Sequence, residues 1–285
     1  MRSRGWRCRL AGTSAVVLYL PVTIRPGFAL PSITEPEGAK PVTEPAPWIE
    51  DRWPRDPARV RSIVLVLHGG QARSPTTVRR WPQWSYLRMV PFARFLHRRT
   101  GGRGMSVRIL RYRYRGWDEP HLHPVQDARW ALTQLRSQHP HASIVLLGHS
   151  MGGRAALRVA DHPAVTAVCA LAPWTLDEEP VTQLAGRSVL IAHGDREHTT
   201  DPRLSYWFAV RAKQVTSRVC RFDVLGDGHA MLRRSHDWSE LATRFAAAEL
   251  RLRTPDPLIE DAMRRPAPQG LQVPLPTMTR NRRWR

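Results

Sequence analysis

Ser150 is the residue of this sequence best suited to act as a nucleophile. It lies between Gly148 and Gly152, with an apolar run before the first glycine and helix-forming residues after the second. A serine at the apex of a sharp strand-to-helix turn takes a positive φ, and the residues two positions away must be small to avoid clashes. The spacing therefore predicts a hydroxyl lifted above a sheet edge, with the N-terminus of a helix beneath any oxyanion formed on it.

A serine hydroxyl is a weak nucleophile, so it needs a base to take its proton and a carboxylate to orient that base. Of the twelve histidines, His229 has the best position, because it follows the last predicted strand and precedes the closing helix. Asp195 and Glu197 follow the preceding strand and are candidates for the carboxylate. Further candidate acids follow an earlier strand, and these are Asp177, Glu178 and Glu179.

Strands and helices alternate along the middle of the chain. Six apolar segments are predicted strands: Val60–Leu67, Met105–Tyr112, Ser143–Leu147, Val165–Leu171, Arg187–His193 and Arg218–Leu225. The predicted helices are Tyr86–Arg99, Val125–Gln138, Arg154–Ala160, Pro202–Val215 and Ser239–Arg251. This alternation indicates an α/β fold, with a parallel sheet covered by helices on both faces and joined by right-handed crossovers. The carboxyl ends of the strands then meet at one edge, where Ser150, His229 and an acid could come together.

Three segments resemble the α/β-hydrolase family, in its esterase- and lipase-like branch: the His68-Gly-Gly turn, the Gly-His-Ser-Met-Gly-Gly segment around Ser150, and the late Gly-Asp-Gly-His229. The resemblance covers residues 60–250 and implies the α/β-hydrolase fold, with the order serine, acid, histidine. In such relatives the acid commonly follows its strand as Gly-x-x-Asp, and that position is Glu197 here. The resemblance therefore favours Glu197 as the acid, with Asp195 as the alternative, although glutamate replaces the usual aspartate.

The same resemblance implies an oxyanion hole made of two backbone N–H groups. One is that of Met151, and the other is that of Gly70, with Gln71 as the alternative. Relatives with a helical lid insert it after the strand that ends near Leu171, where only about fifteen residues precede the next strand. We therefore expect no substantial lid domain and a comparatively open site.

Trp117 and Trp174 follow strand ends and are candidates for the wall of a substrate pocket, with an ordinary core or rim position as the alternative. Several histidines and one carboxylate lie close together in the sequence but show no recognised metal-ligand spacing. These residues are His193, Asp195, His198, His121 and His123. We expect no metal and no cofactor.

The net charge of +20 comes almost entirely from arginine, which is spread along the whole chain, whereas Lys40 and Lys213 are the only lysines. We attribute this charge mainly to the compositional bias of a GC-rich coding sequence. A nucleic-acid surface and attraction to anionic membranes or substrates are the alternatives. No motif supports a specific nucleic-acid partner, and the sequence does not indicate an oligomeric state.

The three cysteines, Cys8, Cys169 and Cys220, show no C-x-x-C spacing, so neither a disulfide scaffold nor a zinc site is expected.

The chain is long enough for one α/β domain, which we expect to span residues 56–252. Residues 31–55 are a Pro-rich lead-in, and residues 253–285 are a basic, Pro-containing tail that we expect to be disordered.

Residues 1–30 permit two interpretations. They carry several arginines, the apolar run Leu10–Leu20 and the small-x-small sequence Gly27-Phe-Ala29, a pattern that resembles a secretory signal peptide. A start codon assigned too far upstream would give a similar sequence. Of the two interpretations, we favour a cytoplasmic location over export. The apolar run is too short to cross a membrane comfortably, so no stable membrane insertion is expected.

The sequence as a whole predicts a serine hydrolase in which Ser150 attacks a small-molecule acyl substrate, His229 moves the proton and Glu197 orients His229. Carboxylic esters are the favoured substrates, and thioesters or amides would use the same machinery. Two alternatives come from other classes: a catalytically silent relative that acts as a binding module, and a basic surface protein that binds polyanions.

Overall fold

A computed structural model describes residues 45–51, 53, 60–78, 83–100 and 105–278 of the chain. Eight strands occur in this part: β1 (Trp48–Glu50), β2 (Ser62–Leu67), β3 (Met105–Arg111), β4 (Ser143–His149), β5 (Val165–Leu171), β6 (Ser188–Gly194), β7 (Val219–Val224) and β8 (Val273–Pro274). The helices are α1 (Trp84–Thr100), α2 (His123–Gln138), α3 (Met151–Arg158), α4 (Pro202–Lys213), α5 (Ser235–Glu249) and α6 (Pro257–Arg264). The six strands predicted from the sequence are therefore confirmed, with small shifts at their ends.

All eight strands belong to one sheet, in the order β1-β3-β2-β4-β5-β6-β7-β8. Only β1 runs antiparallel to its neighbour, and the other pairs are parallel. The register pairs Leu67 of β2 with Gly148 of β4, and Ala192 of β6 with Phe222 of β7. The parallel strands consequently end close together, and the loops that follow them share one edge of the sheet.

Two hydrophobic clusters lie on the two faces of the sheet, because successive side chains of a strand point to opposite sides. In β2, Ile63, Leu65 and Leu67 belong to one cluster, together with residues of α2, α3 and α4. Val64 and Val66 belong to the other, together with residues of α1, α5 and α6. Both faces of the central strands are thus buried, which explains their continuous apolar sequences. The α/β-hydrolase fold expected from the sequence is confirmed.

The two outermost strands were not predicted. β1 lies in the segment 31–55, where its three residues pair with β3 at one edge of the sheet. β8 pairs with β7 at the other edge, and both strands are too short to give a detectable alternation of apolar and polar residues. Residues 1–44 lie outside the described residues. The structure therefore does not test the signal-peptide interpretation of residues 1–30.

The expectation that residues 253–285 form a disordered tail is wrong for residues 253–278. This part contains α6 and β8, and its side chains Leu271, Leu275 and Met278 are buried in the hydrophobic clusters. The Asp256 side chain accepts a hydrogen bond from the N–H of Leu258 and so caps the N-terminus of α6. Prolines separate these apolar residues along the sequence, which hides the periodicity that normally reveals buried elements.

The connection between β5 and β6 contains only one short 3-10 turn, Thr182–Leu184, and all of its residues are described. The expected absence of a substantial lid insertion at this point is therefore confirmed. No helix in the described ranges is both long enough and apolar enough to span a bilayer.

Candidate active site

Ser150 occupies a sharp turn between β4 and α3, with φ 55° and ψ −122°. A Cβ atom on Gly148 would lie 2.3 Å from the carbonyl oxygen of Gly152, and one on Gly152 would lie 2.3 Å from the carbonyl oxygen of Leu67. Such distances are far below van der Waals contact, so only glycine fits at either position. The backbone strain and the small flanking residues expected from the sequence are both present.

Backbone hydrogen bonds hold this strained turn. The N–H of Ser150 donates to the carbonyl of Leu171 at the end of β5, at 3.0 Å. The Ser150 carbonyl accepts from the N–H groups of Arg154 and Trp174, at 3.1 and 3.2 Å. The turn is thus tied both to its own helix and to the loop after β5, which fixes the position of the hydroxyl.

His229 links Ser150 to Glu197. Its Nε2 lies 3.0 Å from Oγ of Ser150, and its Nδ1 lies 2.9 Å from Oε2 of Glu197. The carboxylate can only accept, so Nδ1 carries the proton and donates to it. Nε2 of the neutral ring is then an acceptor for the Ser150 hydroxyl. Three loops that are distant in sequence therefore form one hydrogen-bonded chain at the carboxyl end of the sheet.

The carboxylate of Glu197 is held ionised by its surroundings. Its Oε1 accepts hydrogen bonds from the N–H groups of Thr199 and Thr200, at 2.6 and 3.2 Å. Burial alone would raise the pKa of Glu197, but the hydrogen bonds from His229 and from these amides outweigh burial and lower the pKa to about 2. Glu197 is therefore a negative charge near neutral pH, directed at the imidazole.

The other candidate acids lie elsewhere. Oδ1 of Asp195 accepts a hydrogen bond from the N–H of Gly226 at 2.6 Å, and Asp195 is exposed. Glu179 is buried and bonds to the guanidinium of Arg154 at 2.6 Å. Asp177 and Glu178 are exposed. Glu197 is the acid that the structure brings to His229.

The loops after β6 and β7 interlock, and this contact sets the distance between Glu197 and His229. The N–H of Arg196 donates to the carbonyl of Asp227 at 3.1 Å. A Cβ on Gly194 would lie 2.3 Å from that same carbonyl oxygen, and one on Gly228 would lie 2.6 Å from the carbonyl oxygen of Arg196. Glycine at 194 and 228 is required for this close approach. From the sequence alone, these two glycines indicate only that loops follow β6 and β7.

Asp227 anchors the loop that carries His229, a role that was not identified from the sequence. Its side chain is buried and accepts hydrogen bonds from the N–H groups of Gly228 and Arg234 and from Nε1 of Trp238. These contacts tie the loop to the start of α5. A carboxylate two residues before the histidine was the only sequence signal available for this role.

A second layer of polar groups supports the chain of Ser150, His229 and Glu197. The His149 ring packs against the His229 ring, with centroids 4.7 Å apart, and its Nε2 donates to the His229 carbonyl at 3.0 Å. Oγ1 of Thr200 lies 3.5 Å from Nδ1 of His229 and 3.1 Å from Nε2 of His193. None of these contacts between loops can be read from the sequence, although His149 borders the serine and Thr200 closely follows the acid.

Burial keeps three histidines near the site neutral. It lowers the pKa of His68 to about 4, the pKa of His149 to about 3 and the pKa of His193 to about 3, from an ordinary value of 6.5. His149 is further disfavoured as a cation by the neighbouring His229. His149 can therefore support His229 without placing a second positive charge beside it.

These lowered pKa values predict acid sensitivity. Below about pH 6.5 the unfolded chain binds protons that the folded histidines reject, so the free energy of unfolding should fall as the pH is lowered from about 7 to about 5, by up to about 1.4 kcal/mol per pH unit for each histidine. Glu197 contributes little in this range, because its stabilisation is lost only as the pH falls from its ordinary pKa of 4.5 towards about 2. Urea unfolding at several pH values measures the slope.

His149→Phe should lower the slope of the unfolding free energy against pH by up to about 1.4 kcal/mol per pH unit, the contribution of one proton. An unfolding free energy that stays constant over this range in the unmodified protein would contradict the prediction.

The turn after β2 lies beside Ser150. A Cβ on Gly69 would lie 3.4 Å from Cβ of Ser150, and one on Gly70 would lie 2.4 Å from Cε of Met151. The N–H of Gln71 donates to the carbonyl of Arg115 at 2.9 Å, so this amide is already engaged. Gln71 is therefore a poor candidate for an oxyanion donor, and the donor role of the Gly70 amide stays a prediction.

The guanidinium of Arg154 lies over both Trp117 and Trp174, with its central carbon 4.1 and 4.7 Å from their ring centroids, and the two rings contact each other edge to face at 6.0 Å. Trp117 is 1% exposed and belongs to the hydrophobic core, so of the two positions left open by the sequence the structure gives the core position and not the pocket wall. The aromatic surface is occupied by the arginine, which gains a cation–π contact. Trp174 is partly buried next to Ser150, and its contact with substrate stays a prediction.

His193, whose metal binding was judged unlikely from sequence, bonds through Nδ1 to Oγ of Ser205 at 2.9 Å and through Nε2 to Thr200. Both ring nitrogens therefore have protein partners. No group of three or more histidine, cysteine or carboxylate side chains within the described ranges is arranged to hold a metal ion.

Comparison with known proteins identifies a family and similar solved structures. The model of the alpha/beta hydrolase family matches residues 63–281. Esterase 2 of the planctomycete Thermogutta terrifontis has a similar structure: its butyrate-bound form gives a TM-score of 0.54 at 19% identity, over 74% of this chain and 91% of that chain. Its apo form gives 0.55 at 20% identity, and the form phosphonylated by sarin gives 0.53 at 17% identity, with the same coverage of both chains. No curated protein matches the sequence.

Proposed function

Because the chain belongs to the alpha/beta hydrolase family, we propose that it is a serine hydrolase that cleaves carboxylic esters through an acyl-enzyme. The observation that carries this proposal is the continuous hydrogen-bonded chain from Oγ of Ser150 through His229 to Glu197. Such a chain is the arrangement that activates a serine for acyl transfer, whatever the order of the residues in the sequence.

In the first half of the reaction, Oγ of Ser150 bonds to the carbonyl carbon of the ester while its proton passes to Nε2 of His229. Glu197 keeps Nδ1 of His229 protonated and stabilises the imidazolium that forms. Collapse of the tetrahedral intermediate breaks the bond to the alcohol oxygen, and His229 returns the proton to that leaving group. The products of this half are the free alcohol and an ester on Ser150.

In the second half, a water molecule gives a proton to His229 and attacks the acyl carbon. The bond to Oγ then breaks, the carboxylic acid leaves, and the proton returns to Ser150. The negative charge of each tetrahedral intermediate would be stabilised by the N–H groups of Gly70 and Met151, with the N-terminus of α3 directly beneath. Both donors belong to rigid backbone, so they need little reorganisation during the reaction.

Carboxylic esters are favoured because the fold is esterase-like and because esterase 2 of T. terrifontis has been described with bound butyrate and in a form phosphonylated by sarin. Thioester or amide hydrolysis would use the same residues. The principal alternative is a silent relative that binds a ligand without turnover, in which Ser150 would be unreactive.

A fluorophosphonate probe tests the proposal, since it reacts only with an activated serine. We expect the folded protein to be labelled at Ser150, to lose labelling on denaturation, and to hydrolyse members of a p-nitrophenyl ester panel from acetate to laurate. Absence of both labelling and turnover in a protein that is folded by circular dichroism would favour the silent binding module.

A further inference from the structure

Helix α1 leaves a large apolar surface uncovered. Trp84 is 84% exposed and Leu87 is 37% exposed, and Pro91 on the same helix is also exposed. Leu232, which lies in the loop after His229, is 68% exposed. These four residues line one open groove of about 970 Å³ between α1 and α5, and we call them the α1 face.

The packing of the fold does not account for the α1 face. The opposite side of α1 is buried against the sheet through Tyr86, Met89, Phe92 and Leu96. The helix is therefore apolar on two sides, and only one of them contributes to the core. A contiguous apolar patch of this kind on a soluble domain usually marks a surface that contacts a partner.

The charges around the α1 face are positive. Helix α1 contains no acidic residue. Arg94 and Arg98 are exposed and line a neighbouring cavity with Leu87 and Pro91, and Arg233 is exposed next to Leu232.

Among the described residues, two carboxylates of α5 near this face are already paired with other arginines. Glu240 of α5 is buried and bonds to Arg244 at 2.9 Å and to Arg99 at 3.3 Å. Asp237 of the same helix pairs with Arg234 at 2.8 Å. The α1 face therefore combines exposed aromatic and aliphatic side chains with a rim of arginines.

We propose that the α1 face docks on an anionic lipid surface. Trp84, Leu87, Pro91 and Leu232 would enter the boundary between headgroups and acyl chains, while the guanidinium groups of Arg94, Arg98 and Arg233 bind lipid phosphates. This division into an apolar side and a cationic rim is the chemistry of helices that lie in a membrane interface without crossing it.

The combination of exposed apolar side chains and arginines on the α1 face favours an anionic lipid surface over other polyanions. A nucleic-acid backbone would be bound by the arginines alone and would leave the aliphatic side chains Leu87 and Leu232 in water. The face also adjoins the catalytic loop, because Ala230 and Met231, the two residues after His229, line the same groove. Docking does not require Ser150, so the proposal can be tested whether or not the enzyme function proposed above is correct.

The test measures binding of the full chain to vesicles by co-sedimentation, with phosphatidylcholine alone or mixed with phosphatidylglycerol. We expect binding to the anionic vesicles, weaker binding to the neutral ones, and loss of affinity as salt rises. The double variant Trp84→Ser with Leu232→Ser should bind at least about tenfold more weakly. Arg94→Glu and Arg98→Glu should each weaken binding by about fivefold or more.

Matched controls separate this surface from the general positive charge of the chain. Trp207→Ser removes another exposed tryptophan, 57% exposed on α4, and Arg136→Glu reverses an exposed arginine on α2. Both should bind vesicles as the unmodified protein does. The proposal is overturned if these controls lose as much affinity as the α1 variants, or if anionic vesicles are not bound at low salt.

Two further results would also overturn it. One is that the α1 variants abolish self-association in sedimentation velocity without changing vesicle binding, since the occupant is then a second copy of the chain. The other is that they abolish DNA binding while vesicle binding is absent. Unchanged melting temperatures and circular dichroism spectra in all variants would exclude unfolding as the cause.

Discussion

Ser150→Ala is expected to lower kcat for p-nitrophenyl esters by about 10⁴-fold or more, because no other group in the proposed mechanism can form the acyl-enzyme. The remaining activity would come from the oxyanion donors and substrate binding, which act without the nucleophile. KM should change much less than kcat, since the hydroxyl contributes mainly to bond formation. Steady-state kinetics on one ester with purified protein would measure both values.

The alanine variant should fold normally, because removal of one oxygen leaves the backbone turn and its hydrogen bonds to Leu171, Arg154 and Trp174 intact. Ser217→Ala, at an exposed turn serine, is the matched control and should retain full activity. If Ser150→Ala keeps more than a tenth of the activity at an unchanged melting temperature, then Ser150 is not the nucleophile.

Glu197→Gln is expected to lower kcat by about 10³- to 10⁴-fold, as removal of the charge does at the equivalent position of other triads. The amide can present N–H or C=O to His229, so it neither fixes the ring with Nδ1 protonated nor stabilises the imidazolium. Loss of the ionised group, whose pKa is about 2, should also remove the part of the stability that normally disappears as the pH falls from about 4.5 towards 2. Kinetics and acid unfolding of the same variant give two independent measurements.

Asp195→Asn provides the comparison, because Asp195 lies two residues away and bonds to the N–H of Gly226 rather than to His229. This variant should change kcat by less than about fivefold, since surface substitutions of this kind have small effects. Glu197→Asp should keep more activity than Glu197→Gln, because it retains the charge with a shorter reach. A large loss in Asp195→Asn with little loss in Glu197→Gln would reverse the assignment of the acid.

Much of the fold could be predicted because its central strands are buried on both faces. A parallel strand covered by helices must be apolar along its length, and this requirement makes β2 and β4 visible as continuous aliphatic runs. The edge strands β1 and β8 carry no such requirement and were missed. The same reason explains the error over residues 253–278, whose few buried side chains are separated by prolines.

The sequence by itself singled out Ser150 as the proposed nucleophile, since a serine between two glycines, after a buried strand and before helix-forming residues, is typical of a nucleophile turn. It also narrowed the candidate base to His229 and the candidate acid to a few carboxylates in the right order. These are local properties, because they depend on backbone sterics and on the position of a residue at a strand end.

Only the tertiary structure decided which acid meets His229, how His149 and Thr200 support the imidazole, and that Trp117 belongs to the core. Each of these depends on distances of about 3 to 5 Å between residues far apart in sequence. The contact between the loops after β6 and β7 sets only those from Glu197 and Thr200 to His229. The exposure of the α1 face also could not be predicted from the sequence. An apolar residue looks the same in a sequence whether it is buried or exposed, and only packing distinguishes the two.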